Sequence, residues 1–309
     1  MEKYSINDPM IKKGIGLTEK EVLRMCAAME EHREQKDRTP PFQPILHART
    51  IDSVERVIKW HPAGLKREAL FYQFQSGDDP GKNKVAILPD ACINILFECC
   101  PDNPKATLSG IHLKAREVQL KPNTTYFGFK PYSDRGINLN RIPLPELVDD
   151  SVDFLELCPG AAKLLSQLAG TADFDTQISL FDAFAKQHLI EQAYQPSFVD
   201  FFTLLLCSSK GTGDLEELQN MIGYSKRYCR ERFKADHGIS PKRYSNIMRF
   251  QRTLKQLVRA KSGELTSLAT NNGYFDQAHF IHDFKGFTNQ APSRFCRDFF
   301  GLDANREAS

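Results

Sequence analysis

Hydrophobic periodicity changes character along this 309-residue chain. Between residues 51 and 145 the apolar residues come in short runs, at 69–74, 85–88, 93–97 and 126–129. Gly77-Asp78-Asp79-Pro80-Gly81 and Pro101-Asp102-Asn103-Pro104 separate them. Runs of that length between turn-forming residues predict strands, and several at such spacing predict a small sandwich or barrel-like β domain. From Leu147 onward the period becomes helical. Ile178, Phe181, Ala185 and Leu189 share one helix face. After a break at Gln195-Pro196, residues 197–208 are apolar enough for a buried helix. Residues 1–50 read as an appendage. Thr18 and Glu21 have capping-box spacing, Val22, Met25, Cys26 and Met29 form an apolar stripe, and Thr39-Pro40-Pro41 stops the helix.

The last third repeats itself. Leu218 matches Leu268, and Gly223-Tyr224 matches Gly273-Tyr274, at an offset of 50. Phe233-Lys234 matches Phe284-Lys285, Pro241 matches Pro292, and Arg243-Tyr244 matches Arg294-Phe295, at an offset of 51. The extra residue falls in the turn between Tyr274 and Asp276. A repeated unit is read before any fold is chosen. Each copy predicts a short helix (214–222; 265–271) ending at a glycine suited to a left-handed turn. A polar cap follows, Ser225 or Asp276. The second helix buries Cys229 and Phe233, or Phe280 and Phe284, and ends at Gly238 or Asn289, residue types that tolerate the left-handed region. A proline three residues later opens the next helix. Two helices joined by a tight glycine turn make a helix-turn-helix. The connecting helix, 241–259, buries Tyr244, Ile247, Met248, Leu254, Leu257 and Val258. It would span about 28 Å, close to the ~34 Å between successive major-groove faces.

The expected fold class is therefore α+β: a β-rich N-terminal domain followed by an all-α C-terminal domain with two helix-turn-helix units. The segments are a helical appendage and linker (1–50), a β-rich domain (51–145), a helical connector (146–194) and a double helix-turn-helix domain (195–300).

Charge sharpens this picture. The whole chain is only +2, but residues 214–309 hold 16 Lys and Arg against 11 Asp and Glu, whereas residues 1–213 hold 25 against 28. The excess concentrates in 225–261, with 12 basic residues against Glu231 and Asp236. Such a run is usually a solvated face unless a fold places it on a groove. Hydrophobic residues at 41% and charged residues at 26% are ordinary for a globular protein. The eight cysteines form no C-x-x-C pair, and no histidines cluster with them at zinc spacing, so neither metal nor cofactor is expected. No apolar stretch reaches the ~18 residues of a membrane span. Met1-Glu2-Lys3-Tyr4 opens no signal peptide, and free thiols favour the cytoplasm.

With these motifs on the page, the chain resembles the AraC/XylS family of transcription regulators. The resemblance rests on residues 223–234 (Gly-Tyr-Ser-Lys-Arg-Tyr-Cys-Arg-Glu-Arg-Phe-Lys), 238–244 (Gly-Ile-Ser-Pro-Lys-Arg-Tyr), 248–252 (Met-Arg-Phe-Gln-Arg) and 273–280 (Gly-Tyr-Phe-Asp-Gln-Ala-His-Phe), with Phe284-Lys285. It covers about 195–300. Before residue 150, Leu88-Pro89-Asp90-Ala91-Cys92-Ile93-Asn94 and His61-Pro62 are similar to a tract of one subgroup. The sequence departs from the family pattern at Gln219, where the second copy has the small Ala269; at Glu231, often basic in the family; and at Asn289, more often glycine. The resemblance implies sequence-specific binding to double-stranded DNA, and an N-terminal domain that senses a signal or mediates dimerisation. It brings a small-molecule effector, RNA polymerase and a second copy into view as partners, with no enzymatic activity. An apolar effector pocket is expected within 51–145.

In a helix-turn-helix the start of the second helix faces base edges. That predicts Lys226, Arg227, Arg230 and Glu231 as readers in the first copy. Arg227 and Arg230 suit guanine O6 and N7, and Glu231 suits cytosine N4. The second copy offers Gln277, Ala278, His279 and His282, with Gln277 suited to adenine. His279 has as its alternative a hydrogen bond inside the fold. Ser225, Lys242, Arg249 and Arg252 are candidates for phosphate contact, with Arg249 close enough to the apolar face to brace the fold instead. Two other readings stay open at this stage. A DNA-binding module fused to a reactive-cysteine alkyl-transfer domain would use Cys92, Asp90 and His61. A helical end that binds protein is the other.

Overall fold

The computed structural model describes residues 43, 52–60, 67–100, 102–132, 137–139, 142–190, 197–209, 211–222, 224–259 and 265–300. The appendage helix at 18–29, His61-Pro62, Gln195-Pro196, Lys210 and Gly223 lie outside the described residues.

Eight strands come first: β1 (Asp52–Trp60), β2 (Arg67–Gln75), β3 (Lys84–Ile87), β4 (Asn94–Cys99), β5 (Lys105–Ser109), β6 (Arg116–Gln119), β7 (Thr125–Pro131) and β8 (Ser151–Asp153). The helices follow: α1 (Phe154–Leu157), α2 (Ala161–Ala169), α3 (Phe174–His188), α4 (Phe198–Ser208), α5 (Leu215–Ile222), α6 (Lys226–His237), α7 (Pro241–Arg259), α8 (Leu265–Asn271), α9 (Gln277–Thr288) and α10 (Pro292–Phe300). The chain is thus α+β, β-rich first and helical afterwards.

The sheet takes the order β1-β2-β7-β4-β5-β8, antiparallel throughout, and β3 pairs separately with β6. The expected sandwich is present on one side, where the β3–β6 pair packs on the six-stranded sheet; helices cover the other face. Alternation along a strand sends neighbouring side chains to opposite faces. Phe71, Phe97, Phe127 and Phe129 face one way, and Leu70, Tyr72, Phe74 and Tyr126 the other. Val85 of β3 and Leu120, just past β6, pack on the second group. Tyr72 stands opposite Gly128 in the register, and a Cβ there would lie 2.0 Å from the tyrosine ring. Only glycine lets Tyr72 cross β7 at that point.

Of the segment expected as a connector, residues 146–190 pack with this β-rich part. Residues Ser151–Asp153 add β8 to the sheet edge. Helices α2 and α3 then cover the phenylalanine face. The Phe181 ring lies 4.4 Å from Phe129, 5.7 Å from Phe71 and 6.0 Å from Phe97, centroid to centroid. Aromatic edges and faces at such separations add to what burial supplies. The helical period was correct, and its apolar stripe is buried against the sheet.

A separate core holds the helical part. Phe201, Phe202, Phe233, Ile247, Phe250, Leu254, Phe280 and Phe284 are fully buried in it. Leu88 and Ile111, from the β-rich part, belong to the same cluster. The two parts therefore share a packed boundary. Among the described residues no helix is long and apolar enough to cross a membrane.

Candidate nucleic-acid interface

Each repeat folds as a helix pair whose second helix is capped by the residue its sequence offers. Asp214 Oδ1 accepts from the Glu216 amide at 2.8 Å at the start of α5. Ser225 Oγ accepts from the Tyr228 amide at 3.2 Å and starts α6. Asp276 Oδ1 accepts from the His279 amide at 2.7 Å and starts α9. Such caps satisfy amides that a helix start leaves open. The helices end where the repeat predicts, at Gly238 (φ 77°) and Asn289 (φ 60°), both left-handed. The turn of the second copy passes through Gly273 at φ 76°, where a Cβ would lie 2.5 Å from the Thr212 methyl.

Burial then decides which face looks outward. In α6, Cys229, Phe233 and His237 point inward at four-residue spacing. Phe233 lies 5.4 Å from Phe202 and 5.5 Å from Tyr244. Lys226, Arg227, Arg230 and Glu231 are all exposed. In α9, Phe280, Phe284 and Phe287 point inward. Ala278, His279 and His282 are exposed, and Gln277 is half-buried. Both helices thus present their first turns to solvent.

The predicted readers are not equally available. Arg230 has no ion pair or hydrogen-bond partner among the described residues, nor does His282. Arg227 Nε is held at 2.9 Å by Glu231 Oε1, one turn on. An exposed pair of this kind contributes only ~0.3–0.5 kcal/mol, whereas a bidentate guanine contact is worth about 1–3 kcal/mol. Arg227 is therefore easily released. Lys226 is paired with Glu216 of α5. Gln277 Oε1 accepts from the Thr266 hydroxyl of α8 at 2.8 Å. The oxygen needed to accept from adenine N6 is thereby engaged within the unit. His279 takes the alternative inside the fold. Nδ1 accepts from the Phe275 amide at 3.3 Å, and the ring stands edge-on to Tyr274 at 5.4 Å. With Nδ1 accepting, the proton sits on Nε2, leaving a donor for a base edge.

Among the phosphate candidates, Ser225 is occupied as a cap, Lys242 is exposed and Arg252 is half-buried. Arg249 is only 9% exposed, its Nη2 lies 2.9 Å from Asp283 Oδ2, and its guanidinium stacks 4.5 Å over Tyr274. It ties the spacer α7 to the second unit, the bracing role that was its alternative. Burial, against the pull of Arg249, raises the Tyr274 phenol. Replacing Arg249 with alanine is expected to cost about 1.5–3 kcal/mol of stability, the usual worth of a charge-assisted bond. The salt dependence of DNA binding should stay as it was. A shallower slope in a salt titration would return Arg249 to the phosphate set.

Sequence reasoning missed the aromatic flanks of the two helices. Phe275 is 88% exposed immediately before the cap of α9. The signal was the single extra residue in the second turn. Tyr224 and Tyr228 are half-exposed, and both rings lie against Phe198, at 4.6 and 5.5 Å.

The reactive-cysteine reading finds little support in the thiols. Burial pushes Cys99 and Cys296 up to about 11, away from the thiolate. Cys92 is half-buried and Cys26 lies outside the described residues. Among the described residues no group of three or more His, Cys, Asp or Glu gathers as metal ligands. A cleft of about 270 Å³ opens at the edge of the β-rich part, between Ala86, Leu88, Ala115 and Glu117 on one side and Thr288, Gln290, Arg294 and Phe295 on the other.

Residues 218–298 match a family described as a helix-turn-helix domain. Over 95 residues the chain is 25% identical to uncharacterized HTH-type transcriptional regulators of Staphylococcus aureus. That stretch is 31% of this chain and 13% of those relatives, so only about an eighth of their length is matched. Among solved structures, ToxT from Vibrio cholerae aligns with a TM-score of 0.39 and 10% identity, covering 82% of this chain and 99% of that one. Wild-type ToxT with an unsaturated fatty acid bound aligns with a TM-score of 0.37 and 10% identity, covering 82% and 97%. At these scores the likeness bears on neither the site nor the ligands of this chain.

Proposed function

We propose that this protein is a sequence-specific transcription regulator that grips duplex DNA with the first turns of α6 and α9. The supporting observation is the duplicated arrangement: two helix-turn-helix units, each with a capped second helix and exposed polar residues at its start. The first unit carries the charge. Lys226, Arg227 and Arg230 face solvent there, against Ala278, His279 and His282 in the second. The first unit therefore supplies most of the salt-dependent attraction, and the second adds neutral contacts. Control by a signal at the N-terminal part belongs to the same reading, and the cleft beside Arg294 supports it.

The test begins by selecting duplexes from a random library with the full chain. Arg230→Ala should then weaken the enriched site by about 1–3 kcal/mol and relax preference at one base pair. An equal loss on enriched and random duplexes would assign Arg230 to phosphate. A chain that enriches no duplex would overturn the function itself.

A further inference from the structure

The spacer α7 is not alone in joining the two units. Four of the contacts that cross from the β-rich part to the helical part fall at both reading helices and along the spacer. The carbonyl of Leu144 presses on the end of α6, so closely that a Cβ at Gly238 would lie 2.8 Å from it. Arg243, near the start of α7, donates from Nη2 to the Leu113 carbonyl at 2.6 Å. Its guanidinium also stacks 4.8 Å over Phe287, at the end of α9. Ala115 donates its amide to the Phe287 carbonyl at 2.6 Å. Further along α7, buried Gln251 donates from Nε2 to the Pro89 carbonyl at 2.6 Å.

All four contacts use a backbone carbonyl or amide of the β-rich part as a fixed post. Pro89 belongs to the tract 88–94, where Asp90 is locked to buried Lys130 and to Gln43. None of the four touches the first turn of α6 or α9, so the reading ends stay open. A helix by itself fixes the distance between its ends through its rise. It does not fix the rotation of a unit about that axis, which side packing must supply.

We infer that the β-rich part is a bracket that sets the angle between the two reading heads, with Arg243 and Gln251 as its positioning residues. The inference rests on the proposed DNA-binding function and deepens it. Its consequence is strict operator spacing. One inserted base pair shifts the second half-site by about 3.4 Å and turns it by roughly 35° around the duplex axis. Bracketed heads cannot follow that turn, and unbracketed heads can.

The experiment uses the full chain and a duplex enriched by selection, with derivatives carrying one base pair added or removed between its halves. The wild type should lose about tenfold or more in affinity for either altered spacing. Arg243→Met with Gln251→Leu should lose less than about threefold, while keeping wild-type affinity for an isolated first half-site, the site of α6. Retained half-site binding shows that the variant is folded; each single substitution, measured alone, covers the case in which the double variant is not. A variant that stays as strict about spacing as the wild type overturns the bracket and leaves DNA binding standing. A wild type indifferent to spacing also overturns it. Failure of the wild type to bind any duplex would remove both readings together.

Discussion

Replacing Asp90 with alanine is expected to destabilise the folded chain by about 3–5 kcal/mol, because it strands a buried ammonium. Asp90 is 5% exposed and Lys130 4%, and the two are in direct contact. Donors surround the carboxylate. Gln43 Nε2 lies 2.6 Å from Oδ2, and the Cys92 amide lies 3.1 Å from Oδ1. Removing the carboxylate leaves Lys130 without its counter-charge, where water cannot reach it. Asp90→Leu combined with Lys130→Met should recover most of the loss, since well-packed apolar residues often replace a buried pair at little cost. Chemical denaturation of the single and double variants measures both. A single variant within about 1 kcal/mol of wild type would mean that the site is wet and the pair unimportant.

The same pair gives a pH signature. Burial, the largest single influence, lowers the Lys130 pKa, but Asp90 together with Tyr72 and Cys92 raises it by more, and the net shift is upward. A lysine raised on folding contributes stability that is fully present below its unfolded value of about 10.4. That stability is lost as the pH rises through the folded value. Stability should therefore fall at alkaline pH more steeply in the wild type than in the Leu–Met double variant.

Phe284→Ala is expected to cost about 3–5 kcal/mol, the usual range for emptying a phenylalanine site in a tight core. Phe284 is fully buried, with ring centroids of Phe295, Phe250 and Phe280 at 5.4, 5.6 and 5.6 Å. These come from α10, α7 and α9, so one side chain holds the second reading helix to its spacer and its neighbour. The phenylalanine cluster beneath the sheet is a separate core. DNA affinity should accordingly fall at temperatures where the sheet is still folded. A cost below about 1 kcal/mol would show that the site collapses around the missing ring. Phe233, its counterpart in the first unit, packs on Phe202 and Tyr244 instead and offers the matching control.

Local features were legible in the chain. The repeat, its caps at Ser225 and Asp276 and its stops at Gly238 and Asn289 need only neighbours in sequence, and the structure shows each one. Four of the strands were legible as apolar runs. Strand β1 was not, because Val54 and Val57 on it are exposed and it has no apolar run to read. Strands β6 and β8 have only four and three residues and few apolar ones. Phe250 was left out of the buried face of α7, yet it is fully buried and stacks 4.6 Å from Phe287. A single helical stripe underestimates a spacer that packs against other elements on several sides.

From sequence alone, this protein declares a duplicated helix-turn-helix and the residues that start and stop each reading helix. Capping, glycine turns and the 3.6-residue period act within a few residues, so they leave a pattern along the chain. Tertiary structure alone decided which of the marked side chains remain free. Thr266 occupies Gln277, Asp283 and Tyr274 absorb Arg249, and Arg230 is left open. It alone also brought Ala115 to Phe287 and Gln251 to Pro89. Contacts between residues far apart in the chain depend on how whole layers pack, and no local period records them.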